Sequence, residues 1–419
     1  MVTIKDQMSS NTIVIVAVVT ALSLLGDSML YIALPIYWES AGLESLWQVG
    51  VLLSINRFIR LPFNPFVGWM YKHISLKAGL IIAVLLGGFT TMGYGIFEGF
   101  TAWVILRAIW GIAWSFFRIG GLSVVALHAD KNKRGSSMGL YNGLYRTGSL
   151  VGMLIGGMFV PFIGLSTVSV GFGLLTFLGI PLIVNSNITQ DNEAPEKTDE
   201  VKKGKPFIGK TGYKVSIIVS GFLIAMLYQG ILTSTLSSMI EHFYGERISI
   251  WNVAVSVTLL SGIIQAVRWA WEPFLGRAAG QWSDGSRGRL PIFIVSLLFA
   301  GVVFGMMSVK LPLGCWIFIT LLVMAGATIL TTILDTIALD TSKTANVVSF
   351  LTIYSISQDV GAALGPALSY ILIQLKDGFS YLYWGGAAAL LILAIIWSVF
   401  AKRLSTSING YEKGFNKAY

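Results

Sequence analysis

The sequence predicts an all-α membrane protein of twelve spanning helices in two pseudo-symmetric six-helix lobes. Three observations predict it. The first is composition. The chain has 419 residues, of which 55% are apolar and only 12% charged, and its mean hydropathy is +0.74. A soluble chain carries roughly 25% charged residues, so this one lacks the polar surface to cover a water-soluble fold. The second is a series of apolar runs, each long enough to cross a bilayer. The third is the distribution of lysine and arginine between those runs.

A spanning helix needs about 20 mostly apolar residues. Runs bounded by charges or Pro/Gly breaks fall at 12–37, 47–70, 78–97, 101–127, 136–160, 166–187, 213–240, 250–277, 290–309, 313–338, 346–374 and 380–402. The first run is read as a span, because it is too long for a cleavable leader, contains Asp27, and leads into Pro35 and aromatics. Residues 189–211 break the series with mixed charge and two prolines. That stretch reads as a solvated linker between an N-terminal lobe, 1–188, and a C-terminal lobe, 212–419.

Basic residues set the orientation. With the N-terminus in the cytoplasm, 20 of the 29 lysines and arginines fall in cytoplasmic segments. Only Arg247, Lys310 and Lys376 lie in external loops, and the remaining six are arginines inside spans. The sequence therefore predicts a multi-pass protein of a bacterial inner membrane, with both termini cytoplasmic. The net charge of +9 is a topology signal and forms no nucleic-acid patch. A single cysteine, Cys315, and three scattered histidines give no disulfide and no metal-ligand spacing. No nucleotide-binding glycine-lysine motif occurs, and no cofactor is expected.

The halves echo each other. Arg60, Pro65, Phe66 and Gly68 recur as Arg268, Pro273, Phe274 and Gly276, at an offset of 208. Tyr141, Gly148 and Gly152 recur as Tyr354, Gly361 and Gly365, at an offset of 213. Duplicated six-span halves suit a transporter whose two repeats expose a site alternately to each side.

Span 5 reads Gly139, eight residues, then Gly148-Ser-Leu-Val-Gly152-Met153-Leu-Ile-Gly156-Gly157. Span 4 places Arg107 ahead of Gly111. The segment Gly280-Gln-Trp-Ser-Asp284-Gly-Ser-Arg287-Gly-Arg289 follows span 8, whereas after span 2 Lys72 stands where an aspartate belongs. In these motifs the chain resembles the major facilitator superfamily, and within it the twelve-span drug-proton antiporter branch. Met153 replaces the proline of that branch's span-5 motif. The resemblance implies a secondary active transporter and no enzyme. It implies proton-coupled efflux by alternating access, with small-molecule substrate, protons and the lipid bilayer as partners and a monomer as the working unit. Gly139, Gly148, Gly152, Gly156, Gly157, Arg268, Glu272, Asp284, Arg287 and Asp335 are the gating or conformational candidates. Small residues four apart also serve plain helix packing.

Ionisable groups inside spans cost about 2.5–3.5 kcal/mol each on insertion scales and face a cavity or a partner. They are Arg57, Arg60, Arg107, Arg118, Arg146, Arg268, Asp27, Glu272, Asp335 and Asp359. Asp27 is either a proton carrier or half of a permanent ion pair, and Asp359 is a second proton-coupling candidate. Arg57, Arg60 and Asn64 share a face, as do Arg107 and Arg118. With Trp114, Tyr141, Tyr145, Arg146, Tyr354 and Gln358 they are the substrate-binding candidates. Guanidinium forks beside aromatics favour an amphipathic anionic or zwitterionic organic substrate. Proton-coupled uptake of an organic anion, or polyspecific drug efflux, are the alternatives.

Overall fold

The computed structural model describes residues 4–128, 134–186, 188, 211–245, 247–250, 253–283, 288–342 and 347–415. The expected linker thus lies, but for Thr211, outside the described residues. Among the described residues thirteen α-helices run in chain order: α1 (Ile4–Ala33), α2 (Leu46–Met70), α3 (Leu76–Ile96), α4 (Phe100–His128), α5 (Arg134–Phe177), α6 (Gly179–Val184), α7 (Thr211–Ile224), α8 (Thr233–Tyr244), α9 (Val257–Ser283), α10 (Arg289–Met306), α11 (Leu313–Ser342), α12 (Val347–Leu372) and α13 (Gly378–Phe415). They trace the expected twelve passes. Helix α5 holds passes 5 and most of 6, divided at Gly164, whose φ of 82° no L side chain adopts cheaply. Helices α7 and α8 form pass 7, joined by a π-helical turn at Ala225–Leu232.

Eight helical segments among the described residues are long and apolar enough on their own to cross a membrane, and one of them, Ser137–Val184, is long enough to cross twice. Helices α2, α9 and α12 fall outside that set. These three carry polar residues along their length: α2 holds Arg57, Arg60, Asn64 and two prolines, α9 holds Arg268 and Glu272, and α12 holds Gln358 and Asp359. Helices with a polar stripe must turn it away from lipid.

Pass 8 departs from the sequence expectation of 250–277. Residues Arg247–Ile250 and Val253–Ser256 form an antiparallel two-stranded hairpin, and the helix starts at Val257. The β-branched runs Ile-Ser-Ile and Val-Ala-Val favour strand over the first helical turn.

Contacts divide the chain into two compact units. The first comprises Met1–Glu200, Gly230–Ala270 and Ala363–Gln374; the second comprises Val201–Gln229, Trp271–Ala362 and Leu375–Tyr419. In the first unit α1 packs along α5, and α3 lies against both α4 and α5. Glycines admit the second-half segments into this unit. A Cβ on Gly50 would lie 2.7 Å from the Pro366 carbonyl, one on Gly157 would lie 2.6 Å from that of Thr258, and one on Gly262 would lie 2.6 Å from that of Met153. Hydrogen bonds follow the same contacts: Thr258 Oγ1 donates to Gly157 O (3.1 Å), Ala367 N to Ser54 Oγ (3.1 Å), and Tyr370 OH to Ser234 O (2.6 Å). In the second unit α10 packs on α13 and α11, and α7 lies against α11 and α13.

The sequence repeat recurs as a repeated contact. Gly148 of α5 rests on the backbone of Ala21 in α1, and Gly361 of α12 rests on the backbone of Phe222 in α7. Gly148→Val is therefore expected to lower stability by at least about 1–3 kcal/mol, since backbone cannot step aside as a side chain does. Gly139→Val, at a glycine with nothing within 4 Å, is the control. Thermal unfolding in detergent checks both; equal midpoints would remove the close approach as a stabilising feature.

Candidate functional site

The first unit buries an ion pair among four helices. Gly111 lets α4 approach α2, where a Cβ would sit 2.5 Å from the Asn56 carbonyl. One turn earlier, Arg107 then reaches across: its Nε donates to Leu52 O at 2.9 Å, and its NH1 pairs with Asp27 Oδ1 on α1. Asn56 Nδ2 donates to the same oxygen at 3.4 Å. Tyr31 and Tyr94 stand within electrostatic reach of the guanidinium. The Arg107 side chain is 0% exposed, whereas that of Asp27 keeps 13% of its surface. The carboxylate is thus the accessible partner and the guanidinium the buried one. Arg107 NH2 and Asn56 Oδ1 are buried with no hydrogen-bond partner among the described residues. Such atoms are costly in a dry interior, and a functional site is where they are expected.

The other basic candidates spread over the same unit. Arg60 is buried, its Nε donating to Asn56 O at 3.1 Å, and Arg57 is half-buried. Asn64, one turn on, is half-buried with Oδ1 unpartnered among the described residues. Arg118 is exposed, although spacing puts it on the face of Arg107. Trp114, Tyr145 and Tyr141 form an aromatic run with centroid distances of 6.0 and 5.2 Å. Arg146 lies over the ring of Trp269 at 5.5 Å, and Arg268 lies over the same ring at 5.4 Å. Both guanidinium groups thus have an aromatic face as partner. Arg268 NH1 also reaches Thr233 Oγ1 at 3.5 Å.

In the second unit Asp335 of α11 joins two residues of α12. Tyr354 OH donates to Asp335 Oδ1 at 2.6 Å, and Gln358 Nε2 donates to that oxygen at 3.3 Å and to Tyr354 OH at 3.0 Å. The sequence had assigned these residues to different tasks. Asp359, next along α12, is half-buried, as is Glu272. Asp284 and Arg287 lie outside the described residues.

The span-5 glycines line the α1–α5 contact. Gly148 and Gly152 meet the backbone of Ala21 and Leu25, Gly156 meets Met29, and Gly157 meets Thr258 with Ile32. Gly139 stands in open space. No group of His, Cys, Asp or Glu among the described residues could hold a metal ion. Sequence reasoning missed Asn56, Trp269 and the π turn carrying Tyr228. A buried asparagine four residues before Arg60 was the available signal for the first.

The sequence profile of the Major Facilitator Superfamily matches residues 16–282. The chain belongs to this superfamily. Membership makes it a multi-pass integral membrane protein of a transporter superfamily. It is 32% identical over 142 residues to the chromaffin granule amine transporter of Homo sapiens, which covers 33% of this chain and 26% of that one. The chain thus spans about a quarter of that relative. It is 24% identical over 280 residues to the uncharacterized MFS-type transporter YcaD of Salmonella arizonae, covering 65% of this chain and 68% of that one. Its fold matches a bacterial homolog of the human lysosomal transporter Spinster, solved in an inward-facing, unoccupied conformation, with a TM-score of 0.70 at 15% identity over 94% and 96% of the two chains. That likeness fixes the facilitator fold alone.

Proposed function

We propose that the chain is a proton-coupled secondary transporter of an amphipathic anionic or zwitterionic organic substrate, working by alternating access, with Asp27 as the proton carrier. The observation that carries this reading is the Asp27–Arg107 pair. With Asp27 ionised the pair is neutral. A proton on Asp27 leaves the Arg107 charge uncompensated and attracts an anion. At about 5 Å and an effective dielectric constant near 20, that attraction is on the order of 3 kcal/mol. The surrounding charge supports the substrate class. The spans of the first unit hold Arg57, Arg60, Arg107, Arg118, Arg146 and Arg268 against Asp27 alone.

The same linkage bears on direction. Proton and anion favour each other's binding at this pair, so they travel together, and an inward proton gradient drives uptake. A cation would be repelled by the protonated pair and so exchanged for the proton. The expectation of efflux rested on the span-5 glycines, and close packing of α5 on α1 accounts for most of them whichever way the substrate moves. Efflux of a charged amphiphile by antiport is kept as the second reading on the strength of that motif.

Membrane vesicles of both orientations decide between them. With 6-(dansylamino)hexanoate as probe and a pH gradient imposed, right-side-out vesicles with acid outside are expected to accumulate it. Accumulation in everted vesicles alone would establish efflux and reverse the linkage. Tight binding with no flux in either would replace the transport cycle with a receptor role.

A further inference from the structure

We propose that Asp335, held by Tyr354 and Gln358, recognises a cationic group of the substrate, an ammonium above all, which makes the substrate a zwitterion. This rests on the reading of the cargo as a charged organic amphiphile and narrows it.

The argument starts from the helix. From Leu313 through Leu334, α11 holds no charged residue. Asp335 is its first charge, about 10 Å of helical rise before the end at Ser342. Its side chain is exposed. An exposed carboxylate in a spanning helix is costly against lipid and faces water, a ligand or a protein partner.

The carboxylate is also held in place. Tyr354 is buried, with a seat prepared for it: a Cβ on Gly221 of α7 would lie 2.5 Å from the Tyr354 ring and 3.4 Å from Gln358 Cγ. From that seat the hydroxyl reaches Oδ1 at 2.6 Å, and Gln358 braces both groups. Two donors converge on one oxygen, so the carboxylate is fixed in direction before any ligand arrives.

Packing alone does not require the acid. The repeat offset of 213 places Tyr141 opposite Tyr354 and Leu122 opposite Asp335. In the first half Tyr141 is buried with its hydroxyl against Gly121, and Leu122 supplies no charge. The tyrosine packs equally well there without a carboxylate. Asp335 is thus an addition of the second half. The second-unit spans also hold the acids Glu272 and Asp359, with Arg277 at the end of the α9 run. An ammonium supplies three donors to such an acceptor, and the fixed carboxylate selects for it over a neutral group.

Fluorescence titration of the purified full chain in detergent tests this with three probes that share one dansyl body: Nε-dansyl-lysine, which is zwitterionic; 6-(dansylamino)hexanoate, which lacks the amine; and Nα-acetyl-Nε-dansyl-lysine, whose amine is blocked. The wild-type chain is expected to bind the zwitterion about tenfold or more tighter than either of the others. Asp335→Asn should abolish that preference while leaving the hexanoate affinity within about twofold, and Asp335→Glu should restore part of it. Tyr354→Phe should reduce the preference by a smaller factor, because it removes one brace and keeps the charge. Wild-type protein that binds the hexanoate as tightly as the zwitterion overturns the inference and leaves the anionic reading intact. Equal weakening of all three probes by Asp335→Asn overturns it in favour of a gating or packing role. Failure of the wild-type chain to bind any of them sinks the charged-amphiphile reading, and this inference with it.

Discussion

Arg107→Gln is expected to destabilise the folded chain by about 3–5 kcal/mol, the effect of removing one partner from a buried pair. Glutamine can still offer an N–H to Leu52 O, so the loss of that bond is the smaller part. The larger part is Asp27, left as a carboxylate with 13% exposure and no counter-charge. The double variant Asp27→Asn/Arg107→Gln should therefore recover most of the stability, because two neutral amides can occupy the same space without a buried charge. Arg118→Gln is the matched control. It removes the same side chain from the same helix at an exposed position and should shift the unfolding midpoint little. Thermal unfolding in detergent reads all four proteins. A double variant as unstable as the single would mean that Arg107 acts through packing and the Leu52 contact, and the pair would lose its place in the mechanism.

What the sequence made legible follows from the solvent. A bilayer forces every spanning backbone into helix, so apolar runs translate into passes with few alternatives. The same rule is silent where the backbone leaves the hydrocarbon or bends inside a run. The strand Val253–Ser256 was absorbed into a span because Val satisfies a hydropathy reading as well as a strand. The π turn at Ala225–Leu232 left no mark in composition.

The candidate site shows the same division. Spacing put Arg107 and Arg118 near one face, since eleven residues make about three turns. Spacing said nothing about depth or neighbours, and one arginine is fully buried while the other is exposed. The partner that decides the role of Arg107 lies 80 residues away on another helix. Asp335, Tyr354 and Gln358 were each noticed, yet their union depends on α11 and α12 lying side by side and on Gly221 making room, facts of packing that helical periodicity does not contain. The repeat was more informative than any single motif. Gly148 and Gly361, matched by offset alone, make equivalent contacts with α1 and α7.

Asp27→Asn is expected to abolish pH-driven accumulation while leaving substrate binding measurable. With one proton per substrate, a gradient of one pH unit sustains about tenfold accumulation; the variant should fall to equilibration with no gradient. The substitution keeps the local hydrogen bonds but leaves the buried Arg107 charge uncompensated, so it is expected to cost stability on the same scale as Arg107→Gln, about 3–5 kcal/mol, and transport and binding are read on the folded fraction. Asparagine keeps Oδ1 for Arg107 NH1 and for Asn56 Nδ2, so the three-helix contact can persist. What it removes is the exchangeable proton of the proposed carrier. On that proposal the affinity of wild-type protein for an anionic probe should be higher at acid pH, because a proton on the pair exposes the Arg107 charge. In the variant that charge is uncompensated at every pH, so the affinity should be flat and close to the acid limit of the wild type. Binding that stays pH-dependent in the variant would assign the proton to another carboxylate, with Asp359 the next to replace. Flat binding together with retained accumulation would be the harder result: it would show that the gradient acts on a step of the cycle to which the buried pair does not contribute.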